Sequence, residues 1–322
     1  MIAVKTSLAV AVPLFLLAAA CSRGSSSAVV ATPGAQITAE NAEQVALLAI
    51  EAAFGFTPIG AVGSGLLAVA PPAAPAPLQL GNVVARRVDE LLFAPAVLAG
   101  AVSQTLAGPD GGQVILTWED RDGDQKVSTG DTFVSAFTAW RDGELELSGV
   151  LTVDGTVVAG TPPSSQYWSI AGRMTFVNLT VGTGADAVTI AGAVQFRRER
   201  KPTVESTRLE IDQGLAFGDA LLQSGTALGY DEFPAEFAFS LSSRGAVQVP
   251  DLDGELRYET TQVFTGITLF GYPWAGVLEV RGAGDSLITV RMVDFTSTIS
   301  IEVDADGDGE VDETLTADWT TL

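Results

Sequence analysis

The 322-residue chain carries 39 acidic and 17 basic side chains, a formal net charge of −22, with no histidine and one cysteine. So acidic a surface argues against nucleic acid as a partner, because phosphate binding needs a basic face that displaces counterions. The missing histidine removes Ser-His-Asp and Cys-His catalysis and nearly all zinc and haem sites. One thiol cannot close an internal disulfide, so core burial must supply the stability, and 47% apolar against 17% charged residues is enough to supply it.

The first residues, with Lys5, lead into an apolar run from Leu8 to Ala20, the n-region and h-region of a signal peptide. The run is shorter than the roughly 20 residues of a membrane span, and Pro13 interrupts it. It ends Leu17-Ala18-Ala19-Ala20-Cys21, which resembles the lipobox of bacterial lipoproteins, although Ala18 stands where that family usually has Leu, Val or Ile. The resemblance implies cleavage before Cys21 and multiple acylation at that cysteine, which stable attachment requires. Residues 1–20 are thus read as a lipoprotein signal peptide and 21–36 as a flexible tether, with Ser22, Gly24 and Ser25 to Ser27. Ser22, in place of Asp, points to the outer membrane of a bacterial envelope. Anionic headgroups would repel this surface, so the anchor must hold the protein at the membrane.

Residues 37–96 form a helical and Pro/Ala-rich region. Thr38 can cap a helix in which Val45, Leu48, Ala49 and Ala52 recur at helical spacing before Gly55. Pro71, Pro72, Pro75 and Pro77 then impose extended chain, and Asn82 to Phe93 reads as a second helix closed by Pro95.

From 97 to 322 the apolar period becomes two: Leu145, Leu147, Leu151 and Val153; Val188, Ile190, Val194 and Phe196; Phe237, Phe239 and Leu241; Ile299, Ile301 and Val303. Each run predicts a strand with one buried and one wet face, the antiparallel signature. Turn residues separate the runs at Pro109 to Gly112, Arg141 to Gly143, Asp154-Gly155, Gly182 to Gly184 and Gly282 to Asp285. Roughly a dozen or more strands on connections too short for helical crossovers predict a meander of hairpins. A sheet so wide must curl, split or close. The predicted fold is mainly β, a large antiparallel meander curled as a half-barrel or open barrel with the N-terminal helices packed on it. A β-sandwich is the alternative, and a transmembrane barrel is disfavoured because aromatic girdles are absent.

Two acidic loops carry the clearest chemistry. Asp120, Asp122, Asp124 and Asp131 occupy positions 1, 3, 5 and 12 of a calcium-loop pattern with Val127 at 8, although position 6 is Gln125 and not Gly. Asp304, Asp306 and Asp308 repeat positions 1, 3 and 5 with Gly309 at 6, and Asp312 at 9 can complete the shell. A hard divalent cation takes six or more oxygens, and alternate residues of a tight turn point inward, so both loops are candidate structural Ca²⁺ sites. Asp and Gly also make ordinary turns, but clustered carboxylates repel one another. Elsewhere, Arg197, Arg198, Glu199, Arg200 and Lys201 read as a solvated strand end, and Tyr272-Pro273-Trp274 as core or edge packing.

The lipobox, the Asp122-Gly123-Asp124 loop leading to Ser128 to Phe133, and the closing Val303 to Gly309 loop leading to Trp319 and Leu322 together resemble uncharacterised β-rich lipoproteins of proteobacteria. That resemblance brings no activity with it. The expected function is non-enzymatic: a membrane-anchored envelope lipoprotein binding an apolar ligand or an envelope protein, stiffened by calcium. The alternative is a secreted carbohydrate-active enzyme that uses paired carboxylates.

Overall fold

A computed structural model describes residues 33–54 and 103–319, apart from 125–126, 143–144, 162–164, 183–186, 250–251, 269–271 and 294. Cys21, the signal peptide, most of the tether, the proline-rich stretch and the helix expected over Asn82 to Phe93 lie outside the described residues.

The first expected helix is present as α1, Ala42–Phe54. Thr38 and Asn41 exchange hydrogen bonds ahead of it: the Asn41 side chain accepts from the Thr38 N–H at 2.8 Å and Thr38 Oγ1 accepts from the Asn41 N–H at 3.3 Å. This is the reciprocal logic of a capping box, with Asn in the place usually held by Glu or Gln. Its fully covered face runs through Ala42, Val45, Ala46, Ala49 and Ala53; Leu48 and Ala52 are only partly buried against the core. A seam of alanines lets the helix backbone lie close to what it covers, namely Ala238–Val249 (β11), Leu252–Ile267 (β12), Leu287–Met292 (β14) and Thr298–Asp304 (β15). Tyr258 on β12 donates its hydroxyl to the Ala52 carbonyl at 3.1 Å. At the end of α1, Phe54 meets Phe264 edge-on, with ring centroids 4.9 Å apart, and Trp319 packs against both.

The period-two segments form one antiparallel sheet of sixteen strands. Ser103–Ala107 (β1), Gln113–Glu119 (β2), Thr132–Asp142 (β3), Leu145–Gly160 (β4), Trp168–Val181 (β5) and Val188–Lys201 (β6) pair in chain order. Val204–Glu210 (β7) and Leu215–Phe217 (β8) then share one edge of β6, while Ala220–Leu222 (β9) and Ala227–Phe233 (β10) share one edge of β11. The order finishes β11, β12, Pro273–Arg281 (β13), β14, β15, Glu313–Asp318 (β16).

The pairing of β6, β7, β10, β11, β9 and β8 into a ring has a simple origin in register. Gln195 faces Glu210 while Gly192 faces Leu215, so residues 211–214 stand against only 193–194. Across the sheet, Arg244 faces Ala227 and Val247 faces Leu222, so 223–226 stand against 245–246. β7 with β8, and β9 with β10, are therefore two long strands interrupted at one level. The insertions satisfy each other, Ile211 N–H donating to Thr226 O at 2.9 Å and Gly225 N–H to Ile211 O at 2.8 Å. The sheet is a hairpin meander interrupted once, where β8 and β9 leave the path between β7 and β10; it is one curled layer and not a two-sheet sandwich, and among the described residues its edge strands β1 and β16 each pair with a single neighbour.

Two local expectations are corrected. Asp154-Gly155 is not a turn: β4 runs through it, and the extra residue makes a bulge between the Asp154–Arg173 and Val157–Ala171 pairs. Gly155 adopts φ +60°, which glycine accepts without strain. Phe237 is not an inward strand residue; it sits in the turn before β11 at φ +52° and is 61% exposed. Leu147, Leu151, Val153, Ile190, Val194, Phe196, Phe239, Leu241, Ile299, Ile301 and Val303 are buried as expected, with Val188 partly so, and the inward residues join α1 in one apolar cluster that also includes Phe133, Phe176 and Phe264.

Candidate metal centres

Successive hairpins alternate between the two ends of the sheet, so counting strands from β2–β3 to β15–β16 places the two acidic loops at opposite ends. They are separate centres.

In the β2–β3 loop, Asp120 accepts from the Gly123 N–H at 2.7 Å and Asp122 from the Asp124 N–H at 3.2 Å. These local bonds fold the loop on itself and bring carboxylate oxygens of Asp120, Asp122 and Asp124 within 4.8 Å of one another. The Asp124 N–H is also the main reason the Asp122 carboxyl is held below its ordinary pKa, since hydrogen bonds to the charged form favour it. Asp131 stands outside this cluster. Its fully buried carboxylate accepts from the N–H groups of Arg121 (3.0 Å) and Ser128 (2.9 Å), from Ser128 Oγ (3.2 Å) and from Trp118 Nε1 (3.3 Å). The expected twelfth-position ligand is thus engaged by protein donors and closes the base of the loop. The β4 bulge clamps the same base: Thr156 Oγ1 lies 3.0 Å from both the Ser128 and the Asp131 carbonyl oxygens, and Gly130 N–H donates to Thr156 O.

In the β15–β16 loop, Asp304 accepts from Gly307 N–H at 2.7 Å and Gly309 N–H at 2.9 Å, while Asp312 accepts from Ala305 N–H at 2.8 Å. Asp304, Asp306 and Asp312 bring oxygens within 4.8 Å of one another. Asp308 is not in the group, its Oδ1 taking the Glu310 N–H at 2.8 Å. Gly309 has φ +88°, the conformation anticipated from its place in the pattern. These two triads could hold a metal ion, each supplying carboxylate oxygens suited to a hard cation.

The basic run on β6 is not wholly solvated. Arg197, Glu199 and Lys201 face water, and a hydrogen bond from Lys201 is the leading cause of a lowered Glu199 pKa. Arg198 points inward, 4% exposed, donating to Glu205 at 3.4 Å and lying 5.5 Å from the Trp168 ring centroid. Sequence alternation alone could have found this, because a strand cannot turn five consecutive side chains to one face. Near that pair, Tyr230 is held protonated well above the usual phenol range, first by burial and then by the charges of Glu232 and Glu205. Trp274 stacks on the exposed Phe295 ring with centroids 6.0 Å apart, which is edge packing as expected.

On the wet face, strands β4 to β12 frame a groove of about 770 Å³, which composition and motifs did not signal. Two carboxylates line it, Glu210 and Glu259. The register places their backbones three strands apart, through Ala227 and Arg244, about 14 Å between Cα atoms.

No family model matches the chain, and no curated protein or solved structure matches it either.

Proposed function

We propose that this protein is a non-enzymatic lipoprotein of the bacterial envelope, acylated at Cys21, held at the outer membrane, and serving as a calcium-stiffened scaffold for an envelope protein. The observation that carries the scaffold reading is the pair of acidic triads at opposite ends of one sheet, each with oxygens within 4.8 Å. A hairpin closed by a cation loses less order at its tip than one left to repel itself. Affinity on the order of 10⁻⁴ to 10⁻³ M suffices for such a role outside the cytoplasm. A protein partner is favoured over an apolar ligand because the inward face is taken up by the chain's own core and by α1.

Two measurements test it. Replacement Cys21→Ser is expected to abolish acyl labelling and move the protein to the soluble fraction; unchanged fractionation rejects the anchor. Chelation is expected to lower the melting temperature of the wild type and leave the double variant Asp122→Asn, Asp306→Asn unaffected. Equal melting with and without calcium rejects the metal role.

A further inference from the structure

Three arginines, Arg197, Arg208 and Arg244, line the wet-face groove together with Glu210 and Glu259. Arg197 on β6 and Arg208 on β7 are directly opposite one another in register, and Arg244 on β11 lies along the same groove. Like charges facing across a ladder destabilise a sheet, and departures from local consistency of this kind concentrate at functional sites. Both guanidinium groups are held from the side facing the β6–β7 hairpin, Arg197 by Glu199 at 3.3 Å and Arg208 by Asp231 at 2.7 Å. Arg208 is fixed further by the Thr207 and Tyr230 carbonyls, each at 2.9 Å. Its planar group is thus preorganised, while Arg197 commits only its Nη2 donor and keeps other N–H groups of its fork for a ligand. Among the described residues Arg244 has no ion pair.

The floor is made of small residues, Ala227, Gly229 and Ser242 between Arg208 and Arg244, and Ala171 on the outer side of Arg197. A Cβ at Gly229 would come within 2.9 Å of Ser242 Oγ and 3.4 Å of Arg208 Nε, so glycine there leaves both side chains their room. The volume, about 770 Å³, falls within the range of small-molecule sites.

We infer that this groove binds an acidic sugar, seating one carboxylate on the Arg197–Arg208 pair. One fork of Arg197, which commits a single Nη2 donor to Glu199, can match a carboxylate in two parallel hydrogen bonds, while Arg208, engaged at both Nη groups by Thr207, Tyr230 and Asp231, adds its Nε–H. Glu210 and Glu259 in the same groove repel a second anionic group and accept hydrogen bonds from hydroxyls, and Ser242 adds a neutral partner. One negative charge on a hydroxyl-rich body is the chemistry of a uronic acid.

The test is calorimetric titration of the full chain with glucuronate, glucose and glucose 6-phosphate. Glucuronate is expected to bind at least about tenfold more tightly than glucose. Arg197→Gln and Arg244→Gln, both at exposed positions, are expected to weaken it by about tenfold or more without shifting the melting temperature. Absence of glucuronate binding at about 10 mM, equal binding of glucose, tighter binding of glucose 6-phosphate, or unaltered binding by a folded Arg197→Gln variant would each overturn the assignment.

Discussion

Asp131 shows how a residue of the right type at the right spacing can take a different role. Four protein donors converge on its carboxylate, and hydrogen bonds to a buried acid are strong because the alternative leaves the donors unpaired. Asp131→Ala should therefore destabilise the fold by roughly 3 kcal/mol, measured by urea denaturation. Trp118 emission should report the local change, since its indole loses the Asp131 partner while remaining stacked on Phe133. Asp122 behaves differently, being fully exposed, with its pKa lowered first by the Asp124 N–H. A lowered carboxylate pKa favours the folded loop above the ordinary value, and that preference is lost as pH falls through the folded one. The contribution of Asp122 to calcium-dependent stabilisation should accordingly persist at about pH 5 and be lost only as pH falls below the ordinary carboxylate value of about 4, which melting curves with and without chelator down through that range would show. Asp122, Asp124, Asp304 and Asp306 were legible as cluster members or neighbours from alternation alone. The exclusion of Asp131 and Asp308 was not, because it depends on which N–H each carboxylate finds.

At the scale of elements, α1 and β4 carry the contrast. The helix was legible from Thr38 and from apolar spacing, but its tightest seam is the alanine row, visible only once a sheet lies beneath it. Ala49→Leu should overpack that seam, because Ala49 is fully buried against the sheet, and cost about 1–3 kcal/mol. Calorimetry on the variant checks it; an unchanged melting temperature would mean that α1 is not firmly docked. In β4 the Asp154-Gly155 pair carries a genuine turn signal, yet flanking strands hold the segment in register and the surplus residue is expelled as a bulge. That bulge presents Thr156 to the base of the metal loop, so a feature resembling a turn in one dimension becomes a clamp in three.

At the scale of the whole molecule, a single sheet with hairpin connections separates its two acidic loops by the length of a strand. The strands that carry them run six to eleven residues, about 20 Å or more, beyond the distance at which sites couple directly. Asp122→Asn and Asp306→Asn should each remove part of the chelator-sensitive melting shift, and the two losses should add. A single variant that abolished the whole shift would show that only one loop binds. The same topology sets the groove: β6, β7, β10 and β11 converge at the paired insertions 211–214 and 223–226, and arginines distant in sequence meet on one face.

The amino-acid order alone determined the class of fold, the alternation of inward and wet residues, the capped helix and the acidic loops, because each follows from interactions within about a dozen neighbouring positions. Tertiary structure decided the single curled layer, the double interruption at its middle, the inward turn of Arg198 and the Arg197–Arg208 seat. These depend on register between strands, and register is fixed by the simultaneous burial of one face across the entire sheet, a condition that no local segment contains.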